Sequence, residues 1–391
     1  MIRVGIECEQ LEQNRFGIGH TLAQLLEAMT KVPDVQRHFR FVLYFKEKLP
    51  GDAFLDHPVF EKRVLMQGKG LFNLSFNVFY HILLPLRYWM DVIDVFLFPS
   101  NMLPAFFVGK AVVVLVNDVY WEAHHGTIPF KHRISYLLFC WWAAKRAHIM
   151  TISEFSKKEL QRFYGIPDGR IFVNPWSIQE SFRALAHTAQ YDANMRALKK
   201  KFGIENDFIV SVGQAFPRRH VKEAIEAFGR VAAHHPRLQY LVACTDKYDP
   251  PVLAASVDKV NGKEGRKAVV LVGYLAREVM PYIMNEAKAL VYVSSKEAFG
   301  LPPVEAVLCG TPAVIADTPT TREFFGEEGF FVGDPSDPSK IAACLTEVFE
   351  NEAHSRAIAR EQAARLRKFT WQAHIEKLFD VFYNLTGTKH R

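Results

Sequence analysis

A chain of 391 residues is longer than the ~250–300 at which single cores stop growing, so two domains of ordinary size are expected. Hydrophobic residues at 49% and charged residues at 23% exclude a disordered chain and describe a globular protein with a large core. The net charge of +6 is spread thinly, with 20 Lys/Arg against 17 Asp/Glu over residues 1–180, which leaves no concentrated footprint for nucleic acid. Cys8, Cys140, Cys244, Cys309 and Cys344 are odd in number, widely spaced and without a Cys-x-x-Cys pair. Reduced thiols in a cytoplasmic protein are expected, with neither a zinc site nor a disulfide framework.

The first residues, Met1-Ile2-Arg3-Val4-Gly5-Ile6, read directly as a strand, with no signal-peptide pattern before them. Strands are predicted over Arg3–Glu7, Phe39–Tyr44, Val92–Phe98, Ala111–Val116 and Ile149–Ile152, and a helix over Thr21–Met29 follows the first. No run reaches ~18 uninterrupted apolar residues, so a membrane-spanning helix is not expected. The nearest approach, Leu71–Met90, is interrupted by Asn73, Asn77, His81, Pro85 and Arg87. It reads as a core helix, with a membrane-surface or acceptor-facing helix as the alternative. An aromatic-rich helix is predicted over His132–Arg146. The 32 phenylalanines are a heavy load, mostly for the core, with a few left to cover an apolar surface patch.

Residues 177–205, richer in polar residues and helix formers, read as the passage between domains. Beyond them strand and helix alternate: strand Phe208–Val212, helix Val221–His235, strand Leu238–Ala243, helix Pro251–Asp258 and strand Ala268–Val272. Helix Arg277–Ala287, a strand from Ala289, strand Ala313–Ala316, a short helix Thr320–Phe325 and helix Pro338–Glu350 complete the pattern. Apolar strands alternating with amphipathic helices predict parallel sheets covered on both faces. Such sheets bind ligands beyond the carboxyl ends of their strands.

One such end is chemically distinctive. After the strand, Glu297 and Glu305 flank Phe299-Gly300-Leu301-Pro302-Pro303. Gly300 permits close approach to a ligand, and the prolines fit a first helical turn, where a missing N–H costs little. The amides and dipole of that helix start favour a diphosphate. Glu305 would accept hydrogen bonds from a ribose diol, and Glu297 from sugar hydroxyls. The arrangement suits a sugar nucleotide.

This stretch, with its continuation Cys309-Gly310-Thr311-Pro312, resembles the donor-site signature of retaining glycosyltransferases of family four. There two glutamates separated by seven residues flank a Gly-Phe-Gly-Leu turn; here Ala298 replaces the first glycine. Further segments carry the likeness along most of the chain. Gly17-Ile18-Gly19 resembles the family's N-terminal glycine loop, and Asn117-Asp118-Val119 stands where the family has His-Asp-Leu. Thr151–Ser156 resembles the segment closing the first domain, Val212–His220 the loop opening the donor domain, and Phe369-Thr370-Trp371 the start of a closing helix.

The resemblance implies a GT-B fold, two Rossmann-like α/β domains with parallel sheets facing across a cleft. The expected division is 1–180 for the acceptor side and 181–370 for the donor domain, with helix 371–391 packing back on the first. The implied catalytic residues are Asn117, Asp118, Arg219 and Glu297. The implied donor contacts are Gly17, Gly19, Gly213, Arg218, Arg219, Glu297, Phe299, Gly300, Leu301 and Glu305. Cations at the leaving diphosphate would stabilise charge that grows as the sugar–phosphate bond breaks. Family members place an Arg where Gln214 stands and a Lys where Arg219 stands, so Arg219, aided by Arg218, is the expected cation. Asn117 departs from the family histidine: an amide hydrogen-bonds but exchanges no proton near neutral pH. An active enzyme with an altered sugar contact and a donor-binding relative with impaired activity both stay open.

The sequence shows no Asp-x-Asp beside a strand end and no clustered metal ligands, so no metal cofactor is expected. The expected activity is transfer of a hexose from a nucleotide diphosphate sugar to a glycan or lipid-linked acceptor. GDP-mannose is the first donor considered, and surface-polysaccharide assembly the setting. The expected location is the cytoplasm at the inner face of the membrane, with peripheral membrane contact and no nucleic acid. The alternatives are another GT-B sugar-nucleotide enzyme, an epimerase or phosphorylase, or a non-catalytic sugar-nucleotide-binding subunit.

Overall fold

The computed structural model describes residues 1–12, 17–66, 76–117 and 130–388, with only the backbone described at 130–132. The chain forms two compact units. One comprises Met1–Ser177 with Phe369–Arg391, the other Ile178–Lys368.

The first unit holds strands β1 (Ile2–Glu7), β2 (Phe39–Phe45), β3 (Phe60–Val64), β4 (Val95–Phe98), β5 (Ala111–Val114), β6 (His148–Thr151) and β7 (Ile171–Val173). Their order across the sheet is β3-β2-β1-β4-β5-β6-β7, every pairing parallel. The central strands are buried on both faces: Val4, Phe41, Val95 and Val112 are inaccessible, and Val4 lies in register with Phe41 and Val95. Helix α1 (Ile18–Thr30) covers one face. On the same core lies the closing helix Trp371–Thr386, whose Phe379 ring sits 4.2 Å from that of Phe39.

The second unit repeats the design with β8 (Phe208–Ala215), β9 (Gln239–Asp246), β10 (Val269–Leu271), β11 (Leu290–Tyr292), β12 (Ala313–Ala316) and β13 (Phe330–Val332). The order β10-β9-β8-β11-β12-β13 is again parallel throughout. Each sheet therefore reverses its winding once, between β1 and β4 and between β8 and β11. At such reversals the helices leave in opposite directions and open a crevice beyond the strand ends.

Several expectations are corrected. The three strands absent from the sequence reading, β3, β7 and β13, are all sheet edges. Their patterns are weak for different reasons: β3 reads Phe-Glu-Lys-Arg-Val with three charged residues, while β7 and β13 are apolar but only three residues long. Val92 is not in β4 but in a left-handed turn at φ 50° before it. Residues 189–202 of the expected passage form a helix that packs within the second unit, Lys199 pairing with Glu286 at 2.7 Å. An unexpected helix, Glu352–Leu366, packs beside Leu301–Leu308 and buries Ser355, Ala359 and Gln362, which are too small or polar to mark an amphipathic face.

Candidate functional site

The β8/β11 reversal gathers the chemistry of the second unit. Arg219 follows β8, and Glu297 lies on the loop after β11. Arg219 Nε donates to Glu297 Oε1 at 2.9 Å, and Tyr292, the last residue of β11, donates its hydroxyl to the same oxygen at 2.8 Å. Arg219 Nη1 donates to the Gln214 carbonyl at 2.9 Å, and its guanidinium lies 5.2 Å from the Tyr292 ring centre. Gly213, at φ 110°, makes room for this: a Cβ there would stand 3.1 Å from Arg219 Nη1. Arg218 stacks on Phe216 at 4.9 Å and donates to the Lys296 carbonyl at 3.3 Å. Its own carbonyl accepts from the Ser295 amide, so the two loops are stitched together.

Burial would raise the pKa of Glu297, but the charges of Arg219 and Arg218 and the bonds from Tyr292 and Arg219 outweigh it. Glu297 is therefore held below the usual carboxylate range and stays ionised. Burial works against the Arg219 charge, yet Tyr292 and Glu297 lift its pKa above the ordinary value. With only 17% of its side chain exposed, Arg219 is a fixed guanidinium rather than a solvated surface cation.

The turn after Glu297 ends at Gly300, φ 81°, which caps the helix Leu301–Leu308. Phe299 is buried edge-on against Phe324 at 4.6 Å, and Leu301 is half-buried at the first helical position. Pro302 and Pro303 carry no N–H, so of the expected amide cradle only Gly300 and Leu301 can offer donors at the helix start.

Glu305 lies about one turn into that helix. It is buried to 1% exposure, and its Oε1 accepts from Arg277 Nη2 at 2.5 Å. Arg277 also donates Nε to Gln179 at 3.2 Å and lies over the Phe182 ring at 4.4 Å. Desolvation lifts the Glu305 pKa above the ordinary value even against the Arg277 charge. The group read as a ribose acceptor is thus an internal ion pair in this structure, because a carboxylate this deep requires a partner.

In the first unit, Gly17 precedes α1 at φ 45°, and its carbonyl accepts from the Thr21 amide and hydroxyl. A Cβ on Gly19 would stand 2.4 Å from the Gln10 carbonyl. Its missing side chain is therefore demanded by packing against residues 9–11, whatever a ligand requires. Asn117 is fully buried and accepts from the Ser156 hydroxyl at 2.7 Å. Its Nδ2 has no hydrogen-bond partner among the described residues. In this structure Asn117 tethers the segment after β5 to helix Glu154–Tyr164. Asp118 lies outside the described residues.

Sequence reasoning missed Tyr292, Arg277 and Glu7. Glu7 ends β1 at the other sheet reversal, buried to 1% exposure, accepting from the Ser100 hydroxyl at 3.2 Å and the Glu9 amide at 2.7 Å. Burial pushes its pKa up to about 7. An acid closing the strand after the apolar run Val4-Gly5-Ile6 was the available signal; nothing local marks Arg277. Among the described residues no group of three or more His, Cys, Asp or Glu is gathered to hold a metal ion.

Residues 194–366 match the family described as glycosyl transferases group 1. O-antigen chain mannosyltransferase B of Escherichia coli is 24% identical over 227 residues, 57% of this chain and 57% of that protein. The serotype-specific mannosyltransferase WbdA of Escherichia coli is 24% identical over 289 residues, 70% of this chain but 35% of its own length. The matches thus span 57% and 35% of these curated relatives' own length. Sucrose-phosphate synthase from Thermosynechococcus elongatus superposes with a TM-score of 0.75 at 14% identity over 100% of both chains. HepE of Anabaena, solved in complex with UDP-glucose, superposes with a TM-score of 0.71 at 15% identity, covering 98% of this chain and 100% of that one. At these identities the likeness establishes the fold. The chain has a GT-B fold built from two Rossmann-like parallel-sheet units.

Proposed function

We propose that this GT-B chain, with its glycosyl transferases group 1 segment at 194–366, is a retaining glycosyltransferase using a nucleotide diphosphate sugar. The observation carrying the proposal is the fixed Arg219 guanidinium held by Glu297 and Tyr292 at the β8/β11 reversal, beside the Gly300 turn. A diphosphate set against Arg219, Arg218 and the Gly300 and Leu301 amides would be stabilised as its bond to the sugar breaks. The anomeric carbon then bonds to the acceptor oxygen, and the acceptor proton passes to the departing diphosphate. No protein base is required, which accommodates an amide at position 117. The ribose diol would displace or share Arg277 at Glu305.

A hexose donor, with mannose first, is favoured by the likeness to two mannosyltransferases, and a glycan acceptor, free or lipid-linked, is the reading that accords with an O-antigen chain enzyme among them. A donor-binding subunit is the second reading, favoured by the interior position of Asn117.

The test is a thermal-shift and turnover panel on the full chain with GDP, UDP and their hexose conjugates. A ligand at a hundred times its dissociation constant stabilises by ~2.7 kcal/mol. Stabilisation with release of nucleoside diphosphate supports the enzyme. Stabilisation with no release across an acceptor panel selects the binding subunit. No shift with any nucleotide sinks both.

A further inference from the structure

Fourteen large hydrophobic residues are exposed among the described residues, and ten of them fall between Ile82 and Trp141 of the first unit. On the helical run 76–90 the exposed positions include Ile82, Leu86 and Trp89, spaced i, i+4, i+7 along one face. Helix Phe130–Arg146 repeats that spacing with Ile134, Leu138 and Trp141. Phe106 and Val108 stand on the loop before β5, Phe106 at 70% exposure and Trp89 at 65%.

These three elements are knit into one surface. His81 stacks on Phe139 at 4.6 Å and its Nδ1 accepts from the Ala105 amide at 3.1 Å. Trp142 donates to the Pro104 carbonyl at 3.3 Å. The Tyr88 hydroxyl accepts from the Lys110 amide at 3.3 Å, and its ring meets Phe107 edge-on at 5.0 Å. Scattered single hydrophobics need no explanation, but a contiguous set on two parallel-spaced helix faces does.

Charge selects the occupant. Residues 76–117 and 130–146 contain Arg87, Lys110, Lys131, Arg133, Lys145 and Arg146 against Asp91 and Asp94 alone. Both acids are already engaged. Asp91 accepts from the Tyr44 hydroxyl at 2.8 Å and faces Arg87 at 3.7 Å, while Asp94 accepts from the Arg3 amide at 2.8 Å. Lys110, Lys145 and Arg146 are exposed around the apolar residues. No helix among the described residues is long and apolar enough to cross a membrane.

We propose that this face of the first unit docks on an anionic lipid surface. The tryptophan, phenylalanine and aliphatic side chains enter the headgroup boundary. The lysine and arginine heads meet lipid phosphates while their stems lie along the apolar surface.

The test is sedimentation of the full chain with sucrose-loaded phosphatidylcholine vesicles, with and without phosphatidylglycerol. No sugar nucleotide is present, so its outcome is independent of the donor reading. The wild type should sediment with anionic vesicles, and added salt should weaken but not abolish binding. The combined variant Leu86→Ser, Trp89→Ser and Phe106→Ser should lose about tenfold or more in affinity, with its melting curve confirming the fold. The pair Lys110→Ser and Lys145→Ser should weaken binding to anionic vesicles only.

Undiminished binding of the triple variant, or no sedimentation of the wild type, overturns the proposal. Equal binding to neutral vesicles overturns the anionic assignment. A concentration-dependent dimer by light scattering, lost in the triple variant without any vesicle binding, assigns the face to a second copy of this chain instead.

Discussion

Removing Arg219 should reveal how strongly the second unit depends on its central ion pair. With the Arg219→Met change, Glu297 keeps the Tyr292 hydroxyl and the more distant Arg218 but loses its 2.9 Å guanidinium. Two charges ~4 Å apart at an effective dielectric near 20 attract by ~4 kcal/mol. Breaking a buried pair from one side costs about 3–5 kcal/mol, because the surviving charge stays desolvated. The side chains retain 17% and 15% exposure, so the lower end, about 3 kcal/mol, is expected.

Glu297→Gln should cost less, about 1–2 kcal/mol, since Arg219 keeps the Gln214 carbonyl and its aromatic contacts. The double variant removes both charges and should be less destabilised than the sum, giving a coupling of about 2 kcal/mol. Urea unfolding, followed by a probe in the second unit, measures the cycle. Additivity within about 0.5 kcal/mol would refute the argument that the pair is energetically coupled. The same Arg219→Met protein, still folded at low temperature, should lose about 10²-fold in turnover if the guanidinium serves the leaving diphosphate.

Other outcomes follow from the buried groups. The Glu7 pKa is raised from 4.5 to about 7 in the folded state, so wild-type stability falls as pH rises through that window. Glu7→Gln should remove a slope of up to about 3 kcal/mol, seen as a higher relative melting temperature at pH 8 than at pH 5. His374 works in the opposite sense: burial holds its pKa at about 4 against an ordinary 6.5, so its contribution is lost as pH falls from 6.5 towards 4. His374→Asn, keeping a donor for the Pro175 carbonyl, should flatten the acid limb of the stability curve. Gly19→Ala should destabilise the first unit by about 1–3 kcal/mol by driving a methyl into a backbone carbonyl, as a thermal melt would show, whereas any cost of Gly17→Ala comes from backbone strain at φ 45° and not from a clash. Nucleoside diphosphate release should persist in excess chelator; complete loss, restored by magnesium, would contradict a mechanism resting on arginines and amides.

The sequence by itself determined the repeating strand–helix units and the Gly300 turn. Those features are local. A central parallel strand buried on both faces must be an apolar run, and a helix opening with Gly-Leu-Pro-Pro is restricted by φ alone. It also placed Arg219 and Glu297 at strand ends, where ligands of such sheets bind. Tertiary structure decided the rest. The edge strand β3, with Glu61, Lys62 and Arg63 at its centre, exists because β2 supplies its hydrogen bonds, and β7 and β13, at three residues each, are too short to be marked by pattern alone. Arg219 reaches Glu297 across 78 residues and Arg277 reaches Glu305 across 28. No spacing rule predicts either pair, because sheet order fixes which loops meet. The glutamate pattern announced two acids, but only the packed structure showed that each is held by an arginine, Glu297 with its pKa lowered and the deeper Glu305 with its pKa raised. Burial and the nearest opposite charge, both products of the whole fold, set that difference.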